Sequence, residues 1–120
     1  MTTTTTLTTA EANELVIERV GGWEGVTSYE HSRGGTAFKL GRRELGHLHD
    51  GAAVAHIPLP RRIRDELIEA GRGRPHPVFP DSGWIGAPLT TATEIDTAVE
   101  LFELVYDRAA KANAKRGGTS

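Results

Sequence analysis

The hydrophobic positions of the chain repeat at helical spacing near both ends and alternate with polar positions in between. Apolar side chains recur every three or four residues over 95–109, at Ile95, Ala98, Val99, Phe102, Val105, Tyr106 and Ala109. This spacing predicts one buried helix face. Thr8 with Glu11, and Thr91 with Glu94, have the spacing of capping boxes that open helices. We therefore predict a helix at each end of the folded unit, the last of which packs against a sheet.

Four segments between these helices have the composition of strands, at Val26 to His31, Thr36 to Leu40, Arg43 to His49 and Ala52 to Ile57. A short helix should follow, beginning at Pro60 and ending at Gly71. The segment Arg72 to Ser82 contains three prolines and predicts no regular structure, whereas Gly83 to Leu89 predicts a last strand.

The element order α-β-β-β-β-α-β-α predicts an α+β fold, in which an antiparallel sheet of four to five strands carries helices on one face. A chain of 120 residues is expected to form one domain. The composition of the two ends predicts a disordered threonine-rich tail over residues 1–7, a folded domain over 8–112 and a second disordered tail over 113–120.

Two dipeptides have the composition of two-residue hairpin loops and predict the strand register. Asp50-Gly51 is typical of a type I′ turn, which pairs His47 with Val54. Gly41-Arg42 suits a type II′ turn, which pairs Phe38 with Leu45 and Thr36 with His47. Directly opposed residues share a sheet face. The residues expected on one face are therefore Thr36, Phe38, Arg43, Leu45, His47, His49, Val54 and His56.

Composition narrows the classes of function. The formal net charge of −2 argues against a dedicated nucleic-acid-binding protein. The chain has no cysteine, so a metal would have to bind to His, Asp or Glu side chains. No apolar run approaches the roughly 20 residues of a membrane span, and the start lacks the features of a secretory signal. We expect a cytoplasmic protein without a membrane or nucleic-acid partner.

The blocks RRELGHLHD and GRGRPHP, followed by Trp84 and the last amphipathic helix, resemble the luciferase domain of the fungal bioluminescence enzymes, which also occurs in small bacterial proteins. The resemblance covers about Gly41 to Tyr106. The positions that carry it are Arg43, Glu44, His47, His49, Asp50, Gly71, Gly73, His76 and Pro77. The resemblance implies a cofactor-independent oxygenase that acts on an electron-rich, hydroxypyrone-like compound and consumes molecular oxygen.

The candidate catalytic residues are His47, His49 and His76. His47 and His49 are two residues apart on a strand, so their Cβ atoms lie about 6.6 Å apart on one face and their imidazoles can converge. His76 becomes a third contributor if the loop Arg72 to Ser82 folds back over that face. One histidine would remove a hydroxyl proton from the substrate, and a second, protonated imidazole would stabilise the developing oxygen charge. The candidate substrate-binding residues are Arg43, Phe38, Val54, Phe79 and Trp84.

Two alternatives use the same side chains. In the first, His47, His49 and His76 are ligands of a mononuclear iron or zinc ion, completed by Asp50 or Glu44. In the second, the protein is a non-enzymatic module that binds a small ligand or a partner, including a second copy in a homodimer. His31 and His56, taken singly, are expected to be ordinary hydrogen-bonded residues of a half-buried sheet.

Overall fold

Helices and strands follow one another in the predicted order, with one strand added, in a computed structural model that describes residues 6–31, 34–76 and 83–117. The helices are α1 (Thr9–Gly21), α2 (Arg61–Glu69) and α3 (Ala92–Gly117). The strands are β1 (Val26–Glu30), β2 (Thr36–Leu40), β3 (Arg43–Leu48), β4 (Val54–Pro58), β5 (Arg74–Pro75) and β6 (Trp84–Pro88). They form one antiparallel sheet in the order β1-β2-β3-β4-β6-β5. The predicted α+β fold is confirmed, with six strands in the described ranges rather than four to five.

The added strand, β5, lies inside the proline-rich segment for which the sequence predicts no regular structure. Arg74 pairs with Gly86 and Pro75 with Ile85, so β5 extends the sheet beyond β6. A proline is tolerated here because β5 is an edge strand, and an edge residue needs no second ladder partner. Residues 77–82 of the same segment lie outside the described residues.

One face of the sheet is buried against the helices. The largest side chains of this core are Phe38, Leu45, Leu48, Ile57, Ile85, Leu89, Ile95, Leu101 and Phe102, each almost fully buried. Phe38 from β2 and Phe102 from α3 meet edge to face, with ring centroids 5.5 Å apart. Ile95 and Val99 are buried with Phe102, as predicted for the last helix. Tyr106 packs partly against the core, and its hydroxyl donates a hydrogen bond to the Glu24 carbonyl at 2.8 Å.

A β-bulge in β3 changes the predicted register between β2 and β3. Leu40 pairs with Arg43, and Lys39 with Glu44, but the next pair is Phe38 with Gly46. Leu45 is therefore the extra residue of a bulge, and Gly46 beside it has a φ of +143°, which favours glycine.

The bulge exchanges the two faces of β2 relative to the predicted register, because a one-residue shift moves every following side chain to the other face. The predicted pairs Phe38 with Leu45 and Thr36 with His47 are wrong: Ala37 is the residue opposite His47. Phe38 and Leu45 are core residues instead. Glu44 is brought to the same face as His47.

The connection between β3 and β4 is longer than the predicted type I′ turn. His47 pairs with His56, and Leu48 with Ala55, so residues 49–53 form the loop. Among the described residues only glycines have positive φ, and Gly51 is not one of them, which excludes a type I′ turn at Asp50-Gly51. The Asp50 carboxylate instead accepts a hydrogen bond from the Gly35 amide at 3.0 Å. The register differs from the prediction by two residues, so the histidines keep their common face.

Described residues near both ends of the chain belong to the fold. The backbone amide of Leu7 donates to the Thr90 carbonyl at 2.8 Å. Helix α3 continues to Gly117, past residue 112 where the sequence places the end of the folded domain. The remainder of the two predicted tails, residues 1–5 and 118–120, lies outside the described residues. Across the described ranges, no helix combines the length and the apolarity that crossing a membrane requires.

The capping predictions for α1 and α3 are met in slightly different ways. Thr8 and Glu11 form a reciprocal capping box. At α3 the Glu94 amide donates to Thr91 Oγ1 at 3.2 Å, while the Glu94 carboxylate accepts from the Thr90 amide at 2.7 Å and the Thr90 hydroxyl at 2.6 Å. The hydrogen bond from the Thr90 side chain is the largest cause that holds the pKa of Glu94 below its usual value.

We expect Glu94→Gln to reduce the free energy of unfolding at pH 7 by less than about 1 kcal/mol, because a partly exposed, charge-assisted hydrogen bond is partly screened by water. The folded pKa of Glu94 lies below its unfolded value of about 4.5. The charged form therefore stabilises the fold above that pH and loses its contribution as the pH falls through the folded pKa. Urea unfolding should show a larger difference between variant and wild type at pH 7 than at pH 3. Glu103→Gln, on the same helix, is the control, and an equal Glu94→Gln effect at both pH values would contradict the assignment.

Candidate functional site

All five histidines of the chain lie in one connected group, called here the histidine cluster: His31, His47, His49, His56 and His76. The central three, His47, His49 and His56, have ring centroids between 4.8 and 5.5 Å apart. His31 stacks on His47 at 4.2 Å, and His76 lies 4.4 Å from His56. The hydrogen bonding of the sheet does not by itself explain a group of five imidazoles linked by ring contacts.

The sheet positions the centre of the cluster. His47 on β3 and His56 on β4 are directly opposed. His49 lies two residues beyond His47, and its backbone carbonyl accepts a hydrogen bond from the Asn13 side chain of α1 at 2.9 Å. His31 follows β1 in the turn to β2, and His76 follows the edge strand β5. The five imidazoles are thus carried by β1, β3, β4 and β5 or by the residues that directly follow these strands.

A carboxylate holds His47. His47 Nδ1 lies 3.1 Å from Glu44 Oε2, and the Tyr29 hydroxyl donates to Glu44 Oε1 at 3.3 Å. The hydrogen bond from His47 is the largest cause that lowers the pKa of Glu44. Burial and the adjacent Glu44 raise the pKa of Tyr29. An ionised Glu44 only accepts hydrogen bonds, so His47 carries a proton on Nδ1, and in the neutral imidazole the lone pair is then on Nε2.

His49 and His56 form the closest polar contact inside the cluster. His49 Nε2 and His56 Nδ1 are 2.9 Å apart. His56 is 7% exposed. Burial, followed by the charges of His76, His49 and His47, lowers the pKa of His56 to about 4. His56 is therefore uncharged at neutral pH.

The ring nitrogens of the cluster have the spacing of metal ligands. His47, His49 and His56 each offer one nitrogen, and these three atoms lie within 4.8 Å of one another. His31, Glu44 and His47 form a second group with the same property. The central triad can therefore hold a metal ion.

The structure brings three of the predicted substrate-binding or catalytic residues to the cluster beside His47 and His49. The Trp84 ring lies 5.2 Å from His47. Val54 flanks His56, since a Cβ on Gly86 would lie 3.5 Å from Val54 Cγ2 and 3.9 Å from His56 Cδ2. His76 reaches the cluster through His56, while residues 77–82 of its loop lie outside the described residues.

Other predicted residues lie elsewhere. Phe38 is not a lining residue, because the bulge turns it into the core. Arg43 is likewise not on the histidine face: it is exposed and lines a groove with Arg108 and Lys111 of α3. Phe79 lies outside the described residues.

Sequence reasoning missed two members of the site, His56 and His31, and gave a third, Glu44, only as a possible metal ligand. His56 was placed on the correct face but interpreted as an ordinary sheet residue. His31 continues the alternation of β1 past its last paired residue, which is a weak signal for a position in a turn. Glu44 joins the site only through the bulge, and the signal for the bulge was the glycine inside β3 at Gly46.

The comparisons with known proteins give one positive result. The sequence model of the family described as Luciferase domain matches residues 42–105, which is 64 residues and just over half of the 120-residue chain. No curated protein and no solved structure matches the chain. The match contains four of the five clustered histidines, together with Glu44 and Trp84, and agrees with the resemblance drawn from Gly41 to Tyr106. The chain therefore belongs to the luciferase-domain family.

Proposed function

We propose that the protein is an oxygenase-like enzyme that reacts a small, electron-rich hydroxylated compound, such as a hydroxypyrone or a phenol, with molecular oxygen. The observation that carries this proposal is the convergence of all five histidines and Trp84 on one face of the sheet. Membership of the luciferase-domain family supports oxygen as the second substrate.

The chemistry needs two tasks from the site. Removing the hydroxyl proton leaves an enolate or phenolate, whose ring carbon can donate an electron pair to oxygen. A carbon–oxygen bond then forms, the outer oxygen takes the negative charge, and return of the proton gives a hydroperoxide that contains both oxygen atoms. Imidazole suits the first task, because it accepts and returns a proton near neutral pH. The second task is to stabilise the negative charge on the outer oxygen, which requires a fixed positive group.

The surroundings of the cluster suit a flat, partly apolar substrate. Trp84 offers an aromatic face beside His47, and Val54 offers an aliphatic contact beside His56. Aromatic and aliphatic walls around a few polar groups are typical of small-molecule sites.

The positive group has two candidates. One is a protonated imidazole, which gives the cofactor-independent oxygenase that the resemblance implies. The other is a mononuclear iron or zinc ion, which the spacing of the three ring nitrogens favours. The two versions act on the same class of substrate. Removal of metal ions should abolish activity only in the second version.

Oxygen uptake with a panel of hydroxypyrones, catechols and simple phenols tests the proposed reaction. We expect uptake with at least one compound, and a loss of at least about 100-fold in rate for His49→Gln, since general acid–base catalysis alone contributes about that much. Arg43→Gln, on the same strand but outside the cluster, is the matched control and should keep the wild-type rate. Compounds that raise the melting temperature without any oxygen uptake would contradict the enzyme proposal and favour a ligand-binding module.

A further inference from the structure

We propose that the histidine cluster is a metal centre in which His47, His49 and His56 bind one divalent transition-metal ion. The triad differs from the one that the sequence suggests, because His56 replaces His76 as the third ligand. The inference deepens the proposed function by naming the cofactor of the same site. The role of the ion depends on the proposed function, but the binding of the ion does not.

The distances between donor atoms fit an ion with a small adjustment. His49 Nε2 and His56 Nδ1 lie 2.9 Å apart. One ring nitrogen from each of His47, His49 and His56 lies within 4.8 Å of the other two. Two imidazole nitrogens bound at 2.0–2.1 Å in a tetrahedral site are about 3.3 Å apart. The His49–His56 separation lies a few tenths of an ångström below this value, and no separation within the triad exceeds it by more than about 1.5 Å, so small side-chain movements are sufficient.

The sheet fixes the backbone of two of the three ligands, and the third, His49, directly follows β3. His47 and His56 are opposed residues of adjacent strands, and their separation is set by the ladder. The His49 carbonyl is held by Asn13 of α1. Sites built on strands keep ligand geometry more closely than sites built on loops alone.

Glu44 orients the His47 ring. Its carboxylate binds Nδ1 of His47, and Tyr29 binds the other carboxylate oxygen. With Nδ1 occupied by this contact, Nε2 is the nitrogen of His47 left for an ion. A carboxylate behind a ligating histidine is the usual outer partner of such sites. Glu44 is accordingly a positioning residue in this assignment.

The chemistry of the donors selects the class of ion. Three neutral imidazoles favour iron, nickel, copper or zinc over magnesium or calcium, which prefer oxygen ligands. Three protein ligands also leave a coordination position open, as in catalytic rather than structural sites. His31 and His76 lie outside the triad, so imidazoles remain in the cluster to accept a substrate proton when three are ligands.

Metal titration of the chelator-stripped protein, prepared without a polyhistidine tag, tests this assignment. Isothermal calorimetry with Zn²⁺ and with Co²⁺ should give one equivalent bound. His47→Gln, His49→Gln and His56→Gln should each weaken binding by more than about 100-fold, beyond the 10–100-fold expected for an outer partner such as Glu44→Gln. His76→Gln, outside both groups of donor atoms, is the matched histidine control and should change affinity less than about 5-fold, well below the effect expected for that outer partner. A loss for His31→Gln as large as that for His47→Gln would place the ion in the second group and overturn the triad. The visible spectrum of the Co²⁺ complex reports ligand geometry independently of turnover.

Wild-type protein provides a second measurement, in case His56→Gln does not fold. The ring-nitrogen signals of ¹⁵N-labelled histidine should shift on Zn²⁺ binding for three of the five residues. Absence of stoichiometric binding, or equal losses for all five substitutions, would overturn the metal centre, and a loss for His76→Gln as large as that for His47→Gln would overturn the triad. Stoichiometric binding without oxygen uptake would overturn the proposed reaction and leave the metal centre standing.

Discussion

Gly46→Ala should destabilise the protein by about 3 kcal/mol or more, through both backbone strain and overpacking. Gly46 has a φ of +143°, and a Cβ there would lie 2.5 Å from Phe102 Cε1 and 2.7 Å from the His56 carbonyl oxygen. Neither neighbour can move cheaply, since one is a fully buried ring and the other is strand backbone. Urea unfolding followed by circular dichroism measures the change.

The Gly46→Ala substitution should also affect the histidine cluster. The bulge beside Gly46 places Glu44 next to His47, so any Gly46→Ala protein that still folds should also bind metal more weakly. Gly51→Ala is the matched control in the loop between β3 and β4, because a Cβ at Gly51 meets no atom within 4 Å. We expect that substitution to change stability by less than about 0.5 kcal/mol. A Gly46→Ala cost below about 1 kcal/mol would mean that the bulge relaxes and is not required.

Phe102→Ala should cost about 3 to 5 kcal/mol, the range for removing a large buried aromatic side chain. Phe102 is fully buried and meets Phe38 edge to face, with ring centroids 5.5 Å apart. The alanine would leave a cavity beneath the centre of the sheet, between α3 and β2. Chemical denaturation of the variant and wild type gives the difference directly.

Two further substitutions test whether the Phe102→Ala effect comes from the loss of buried side-chain volume. Phe102→Leu keeps most of the volume and should cost clearly less. Leu104→Ala lies on the same helix but on a side chain that is 40% exposed, so it should cost less than about 1 kcal/mol. A Phe102→Ala effect no larger than the Leu104→Ala effect would mean that α3 is not docked through this residue.

Much of the fold was predictable because its signals are local. The spacing of Ile95, Val99 and Phe102 predicts the buried side of α3 without knowledge of its partner, and the structure confirms it. The pair of Thr8 and Glu11 likewise lies within one helical turn. The strand β5 was not predictable, because a two-residue strand exists only through its pairing with β6, which is distant in sequence.

The candidate site was predictable in part for the same reason. His47 and His49 share a face in any strand, so their proximity followed from a period of two. The register of Phe38 did not follow, because the bulge depends on Gly46 fitting against Phe102, a contact across 56 positions of sequence. Arg43 was assigned to the wrong face of the sheet for the same reason. His76 was proposed as a third member on the condition that its loop closes over the face; it contacts His56, and residues 77–82 of that loop lie outside the described residues.

The two edges of the sheet differ in their ability to accept another strand. On one edge β5 has only two residues, and Pro75 has no amide hydrogen, so this edge offers at most one backbone donor to an incoming chain. On the other edge β1 has five residues and no proline. If two copies of the protein associate by extending the sheet, the joint should therefore form through β1, which gives a continuous sheet of twelve strands with β5 at both outer ends.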